Sequence, residues 1–118
     1  MTTEDVKALA GERYVDGIHE KPDPQRASES FWTSSNKHKR RTERDLDLLE
    51  LYVRVVLATG SKFDPCGIRL GDGKYLVPDR AVMNSAINAG LIALDEKTHC
   101  FRMPRKAWAS IRLEDPVA

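Results

Sequence analysis

Cysteine is scarce in this chain: Cys66 and Cys100 are the only two. Two thiols cannot staple a secreted mini-scaffold, and neither stands in a CxxC pair, so reduced thiols are expected. Long hydrophobic runs are missing as well. No apolar stretch approaches the roughly 20 residues that span a bilayer, and the opening "MTTEDVKALAGE" has neither the basic flank nor the apolar core of a signal peptide. The expected compartment is the cytoplasm, with no membrane partner. An excess of one charge is also lacking. Nineteen Lys and Arg against eighteen Asp and Glu leave a formal +1, whereas chains that hold nucleic acid by bulk electrostatics are far more basic. Any such contact must therefore come from a local patch.

Catalytic spacings are absent too. His99 and Cys100 are neighbours on an expected strand, so their side chains project to opposite faces and do not form a dyad. His19, His38, Cys66 and Cys100 are too scattered for zinc spacing, and "LGDGK" lacks the GxxxxGK[ST] pattern of a phosphate loop. The sequence is read as that of a non-enzyme, with no catalytic residue, metal or cofactor expected.

What is present is one domain's worth of chain: 118 residues, 41% hydrophobic and 31% charged, with a mean hydropathy of -0.49. Thr2 and Thr3 ahead of Glu4 and Asp5 predict a helix start, with Val6, Leu9, Ala10 and Tyr14 on one face and Gly17 as its stop. "HEKPDPQ" reads as a linker or turn, because its prolines remove backbone donors. A short helix from Gln25 to Trp32 would be anchored by Phe31 and Trp32, and "TSSNKHKRR" reads as loop.

The firmest local pattern begins at Thr42, whose hydroxyl caps while Asp45 folds back towards it. Leu46, Leu49, Val53, Val56 and Leu57 recur at helical spacing, and Gly60 suits the turn after the last residue. The stretch "LYVRVVL" is β-branched enough to compete as a strand, but length and caps favour helix. "GIRLGDGKYLV" reads as a β-hairpin turning at its glycines. Pro78, in the first turn, and Asp79 open another helix, with Val82, Met83, Ala86 and Ile87 inward and Gly90 ending it. A second hairpin follows, with strands Leu91 to Leu94 and "HCFRM" joined through "DEKT", and then a last helix from Pro104 to Leu113 with Trp108 and Ile111 inward. The fold class is thus α+β: an N-terminal helical extension with a basic loop over residues 1–41, and a core over 42–118 with two β-hairpins.

The order helix, "AGLI", hairpin and "MPRKAW" resembles the second half of winged helix-turn-helix domains, over residues 78–113. One departure from that pattern is the hairpin "GIRLGDGKYLV" where the family places the first helix of its pair. The resemblance implies that the helix from Asp79 to Ala89 lies in a major groove. Arg80, Asn84 and Asn88, spaced i, i+4, would then face base edges, since arginine forks onto guanine and asparagine onto adenine. A polar face is also ordinary on any surface helix. Lys97 and Arg102 would contact phosphate from the ribbon, and Arg105 and Lys106 extend that positive set.

"NKHKRR" at 36–41 is the densest positive charge, and Lys37, Lys39, Arg40 and Arg41 oppose the dipole of the helix they precede. A basic arm reaching phosphate accounts for them, as does a solvated loop. The function expected on these grounds is a small nucleic-acid-binding regulator, DNA being its partner, with the N-terminal extension available for homodimerisation. The alternative is a protein-interaction module, such as a phage or mobile-element inhibitor. It would dock on a host nucleoprotein complex through the acidic face of Glu43, Asp45, Asp47 and Glu50.

Overall fold

The computed structural model of the chain describes residues 1–10, 17–28, 31–32 and 43–104, the side chains of 43–46 excepted. It is an α+β fold, as the patterning predicts. In chain order the elements are α1 (Thr3–Ala10), β1 (Ile18–His19), a 3-10 turn (Pro24–Ala27), α2 (Glu43–Thr59), β2 (Ile68–Arg69), β3 (Tyr75–Leu76), α3 (Arg80–Asn88), β4 (Ala93–Leu94) and β5 (Phe101–Arg102). Of the expected helix from Pro104 to Leu113, all but Pro104 lies outside the described residues.

The start of α1 is held from both sides. Asp5 accepts from the Thr2 backbone N–H at 2.9 Å and from its hydroxyl at 3.1 Å, while the Thr3 N–H donates to the Asp72 carboxylate at 3.1 Å. The Gly71 N–H donates to the Met1 carbonyl at 2.7 Å, so the N-terminus lies against the turn between β2 and β3. Burial in α1 belongs to Thr3, Val6 and Ala10, which follow one another down one side of the helix. Leu9, expected inward, is instead exposed, because it lies about 100° around the helix from Ala10.

Helix α2 is the central element, packing on α1, α3 and β2. Leu48, Leu49, Leu51, Tyr52, Val53 and Val55 are buried along it, and Gly60 takes the left-handed φ of 68° that ends it. Leu57 departs from expectation: it is 50% exposed, since it sits about 200° around the helix from buried Val55.

The first sheet runs β1-β3-β2, antiparallel throughout. Its β2–β3 hairpin turns at Gly73, where φ is 83°, as the glycines predict. Strand β1 overlaps, at His19, the segment "HEKPDPQ" expected as a linker or turn. It exists through partners far along the chain: its residues pair with Leu76 and Tyr75, and the neighbouring Val77 N–H donates to the Gly17 carbonyl at 2.7 Å.

Helix α3 begins at Arg80, two residues past the proline expected in its first turn. Pro78 stands ahead of the helix and Asp79 is the cap, accepting from the Val82 N–H at 3.1 Å. The buried Tyr52 hydroxyl accepts the Asp79 N–H at 3.0 Å, fastening this start to α2. After Gly90, with φ of 74°, the chain enters the β4–β5 ribbon, whose turn is fixed by the Asp95 carboxylate accepting from the Lys97 N–H at 2.8 Å. His99 adopts the left-handed φ of 57° there. The Phe101 N–H donates to the Phe63 carbonyl at 2.8 Å, joining the ribbon to the segment before β2. Edge-to-face ring contacts run from Phe31 to Trp32 (4.8 Å), from Trp32 to Phe101 (5.0 Å) and from Phe101 to Phe63 (5.4 Å). Val6, Ala10 and Trp32 from the first 41 residues share one buried cluster with residues of α2, α3 and β5.

Candidate nucleic-acid interface

The helix expected to read bases turns Val82, Met83 and Ala86 inward as predicted, but much of its polar side is covered as well. Five consecutive residues of α3, Val82 to Ala86, are buried. Asn84 is only 6% exposed, and its Oδ1 has no hydrogen-bond partner among the described residues. Arg80 is half-buried; its Nη2 donates to the Phe31 carbonyl at 2.9 Å, and its guanidinium lies 4.3 Å from the Phe31 ring centre. The expectation of a base-reading face at Arg80, Asn84 and Asn88 is therefore corrected. The segment carrying Phe31 packs where DNA was to lie, and of the three only Asn88 is exposed.

Lys97 and Arg102 are both exposed on the ribbon, Lys97 at its turn and Arg102 on β5, and neither is in an ion pair among the described residues. Lys37, Lys39, Arg40, Arg41, Arg105 and Lys106 lie outside the described residues. Of the acidic set, Glu43 and Asp45 stand in the first turn of α2 with side chains outside the description. Asp47 and Glu50 are half-buried. Glu50 is already engaged, since its Oε1 accepts from Arg54 Nε at 3.0 Å and faces Nη2 at 2.9 Å.

A different surface emerges from the sheet register. Ile18, Leu76 and Ile68 pair across the three strands, and this row faces the core: Leu76 and Ile68 are fully buried. Side chains alternate along a strand, and directly paired residues share a face. The adjacent row of His19, Tyr75 and Arg69 therefore faces outward. His19 and Arg69 are exposed and Tyr75 is half-exposed between them. Tyr75 leans over Gly67, where a Cβ would meet Tyr75 Cβ at 3.1 Å and Cδ1 at 3.5 Å, and where φ is 153°. An aromatic ring on a sheet face with a basic residue on each flanking strand can stack on an unpaired base while its neighbours meet phosphate.

The row is not apparent in the sequence: the hairpin pattern of "GIRLGDGKYLV" places Arg69 and Tyr75 on strands, but no local pattern announces that His19 is in a sheet at all.

Neither thiol is set up as a nucleophile. Burial first, then the Asp64 carboxylate, pushes Cys66 up to about 11, and the same two influences raise Cys100. Among the described residues no cluster of three or more His, Cys, Asp or Glu is placed to hold a metal ion, and no helix is long and apolar enough to cross a membrane. No family model, curated protein or solved structure matches this chain.

Proposed function

We propose that this protein binds nucleic acid through the outward face of its three-stranded sheet. The cations of the β4–β5 ribbon and the basic 36–41 segment add phosphate contacts. The observation that carries the reading is the Arg69–Tyr75–His19 row, an aromatic ring between two basic side chains on a solvent-facing sheet. The chemistry suits single strands. A base stacked on an aromatic ring is worth about 1–3 kcal/mol and needs no sequence, and each neutralised phosphate adds a salt-sensitive increment. Lys97 and Arg102 supply further positive charge, and the winged-helix resemblance contributes its ribbon to this reading but not its helix. A near-neutral chain neutralises few phosphates, so binding is modest and falls with salt along a shallow slope.

Fluorescence anisotropy with labelled single-stranded and duplex oligonucleotides of about 15 nucleotides tests this. The single strand is expected to bind tighter than the duplex. Tyr75→Ala should weaken it about tenfold, and Arg69→Ala should lower the salt slope by about 0.7. Absence of salt-dependent binding to either form at low ionic strength would sink the proposal and favour docking on a protein partner.

A further inference from the structure

We propose that the cavity beside His19 is a binding site for a phosphate group. It is a recess of about 360 Å³, at the small end of ligand pockets, whose polar lining is His19, Lys21, Asp23 and Arg26, with Pro22, Pro24 and Val77 completing the wall. It shares only His19 with the outward sheet row, and it does not require the nucleic-acid reading.

The walls are held before any ligand arrives. Pro22 and Pro24 fix φ on either side of Asp23, and the Asp23 N–H donates to the Cys66 carbonyl at 2.9 Å, tying this segment to the chain just ahead of β2. Arg26 is fixed from several directions. Its Nη1 donates to the Pro78 carbonyl, and its guanidinium lies 5.2 Å from the Phe31 ring centre and 5.7 Å from that of Trp32. The Trp32 Nε1 donates to the Arg26 carbonyl at 2.7 Å. With 14% of the side chain exposed, its charge is held in one place with little entropy left to lose on binding.

The donors outnumber the acceptors that the protein itself supplies. Arg26 Nε is closed off from solvent without a hydrogen bond and forms an ion pair with Asp23 Oδ2 at 3.4 Å. The other Asp23 oxygen is occupied by the Gln25 N–H at 3.1 Å. Lys21 and Arg26 against Asp23 leave one positive charge on the lining before His19 is counted. An ammonium, a guanidinium and an imidazole N–H around one recess match the three terminal oxygens of a phosphate monoester better than the two of a carboxylate. Free phosphate, a mononucleotide and the 5′ end of a strand all present that group.

Amide chemical-shift titration of the full chain with inorganic phosphate tests the site, with sodium chloride at matched ionic strength as the control. Saturable shifts at His19, Lys21, Asp23 and Gln25 are expected. Lys21→Ala should weaken binding about fivefold, and Asp23→Asn, which keeps the turn's acceptor but removes the opposing charge, should strengthen it severalfold. Shifts that follow salt alone, shifts spread equally to Lys97 and Arg102, or unaltered affinity in both variants would overturn the assignment. Adenosine monophosphate against adenosine, and 5′-phosphorylated against unphosphorylated oligonucleotide, distinguish the source: a gain confined to the phosphorylated strand marks a strand end, and equal binding of phosphate and the mononucleotide marks a free anion. Phosphate binding without oligonucleotide binding would remove only the nucleic-acid proposal. Oligonucleotide binding without phosphate binding would remove only this site.

Discussion

At Arg80 a charge that looked available for guanine is spent inside the fold, donating to the Phe31 carbonyl and covering the Phe31 ring. Hydrogen bonds to charged groups contribute about 1.5–3 kcal/mol and a partly desolvated cation over a ring about 1–2. These overlap in one side chain, so Arg80→Ala should lose about 2 kcal/mol of stability, whereas Asn88→Ala on the exposed end of the same helix should stay within about 0.5. Urea denaturation followed by tryptophan fluorescence reads the difference; equal midpoints would put Arg80 back in solvent. The i, i+4 spacing identified which residues share a side of α3. It did not reveal that this side is partly covered, because the residue that covers Arg80, Phe31, lies 49 positions earlier. His19 was illegible for a related reason. A two-residue strand carries no alternation to read, so the row exists only once distant strands have paired.

Among the elements, those with chemical end-marks were readable and those made by remote pairing were not. Asp79 and Gly90 bracket α3, Gly60 ends α2, and Gly73 turns the hairpin much as their residue types predict, whereas β1 has no such marks. Helix α1 carries a pH dependence of its own. Hydrogen bonds from Thr2 hold the Asp5 carboxyl below its ordinary 3.8, and bonds from Thr3, with a further one from Lys74, do the same for Asp72. A lowered folded value means that the unfolded chain binds more protons, so this contribution is complete above about pH 3.8 and is lost as pH falls through the depressed values. Hydrogen exchange should therefore show the Val6 amide, bonded to the Thr2 carbonyl at 3.0 Å, losing protection in acid before the amides of α2. In Asp72→Asn the acid step should shrink. Protection of α1 that persists undiminished well below that range would show that these carboxylates do not hold it.

For the molecule as a whole, Phe101 is where separate parts meet. Its ring touches Trp32 and Phe63 edge to face, and its backbone joins the ribbon to the segment before β2 at Phe63. Truncating a buried phenylalanine costs about 3–5 kcal/mol, a large share of the roughly 5–15 that a domain commands. Phe101→Ala should accordingly lower the guanidinium midpoint in a single transition seen alike by far-ultraviolet and near-ultraviolet dichroism. Two separated transitions would mean that the ribbon and the sheet unfold independently. The sequence pattern placed Phe31 and Trp32 at one core of this kind, but it did not single out Phe63 or Phe101 as the aromatic residues they would meet. On the opposite side of the sheet from that core, Gly67 leaves bare main chain beneath Tyr75. The topography of the outer face is thus governed by a residue that contributes no side chain, and its charge by Arg69 and His19. Relief and electrostatics there can change independently, one position at a time.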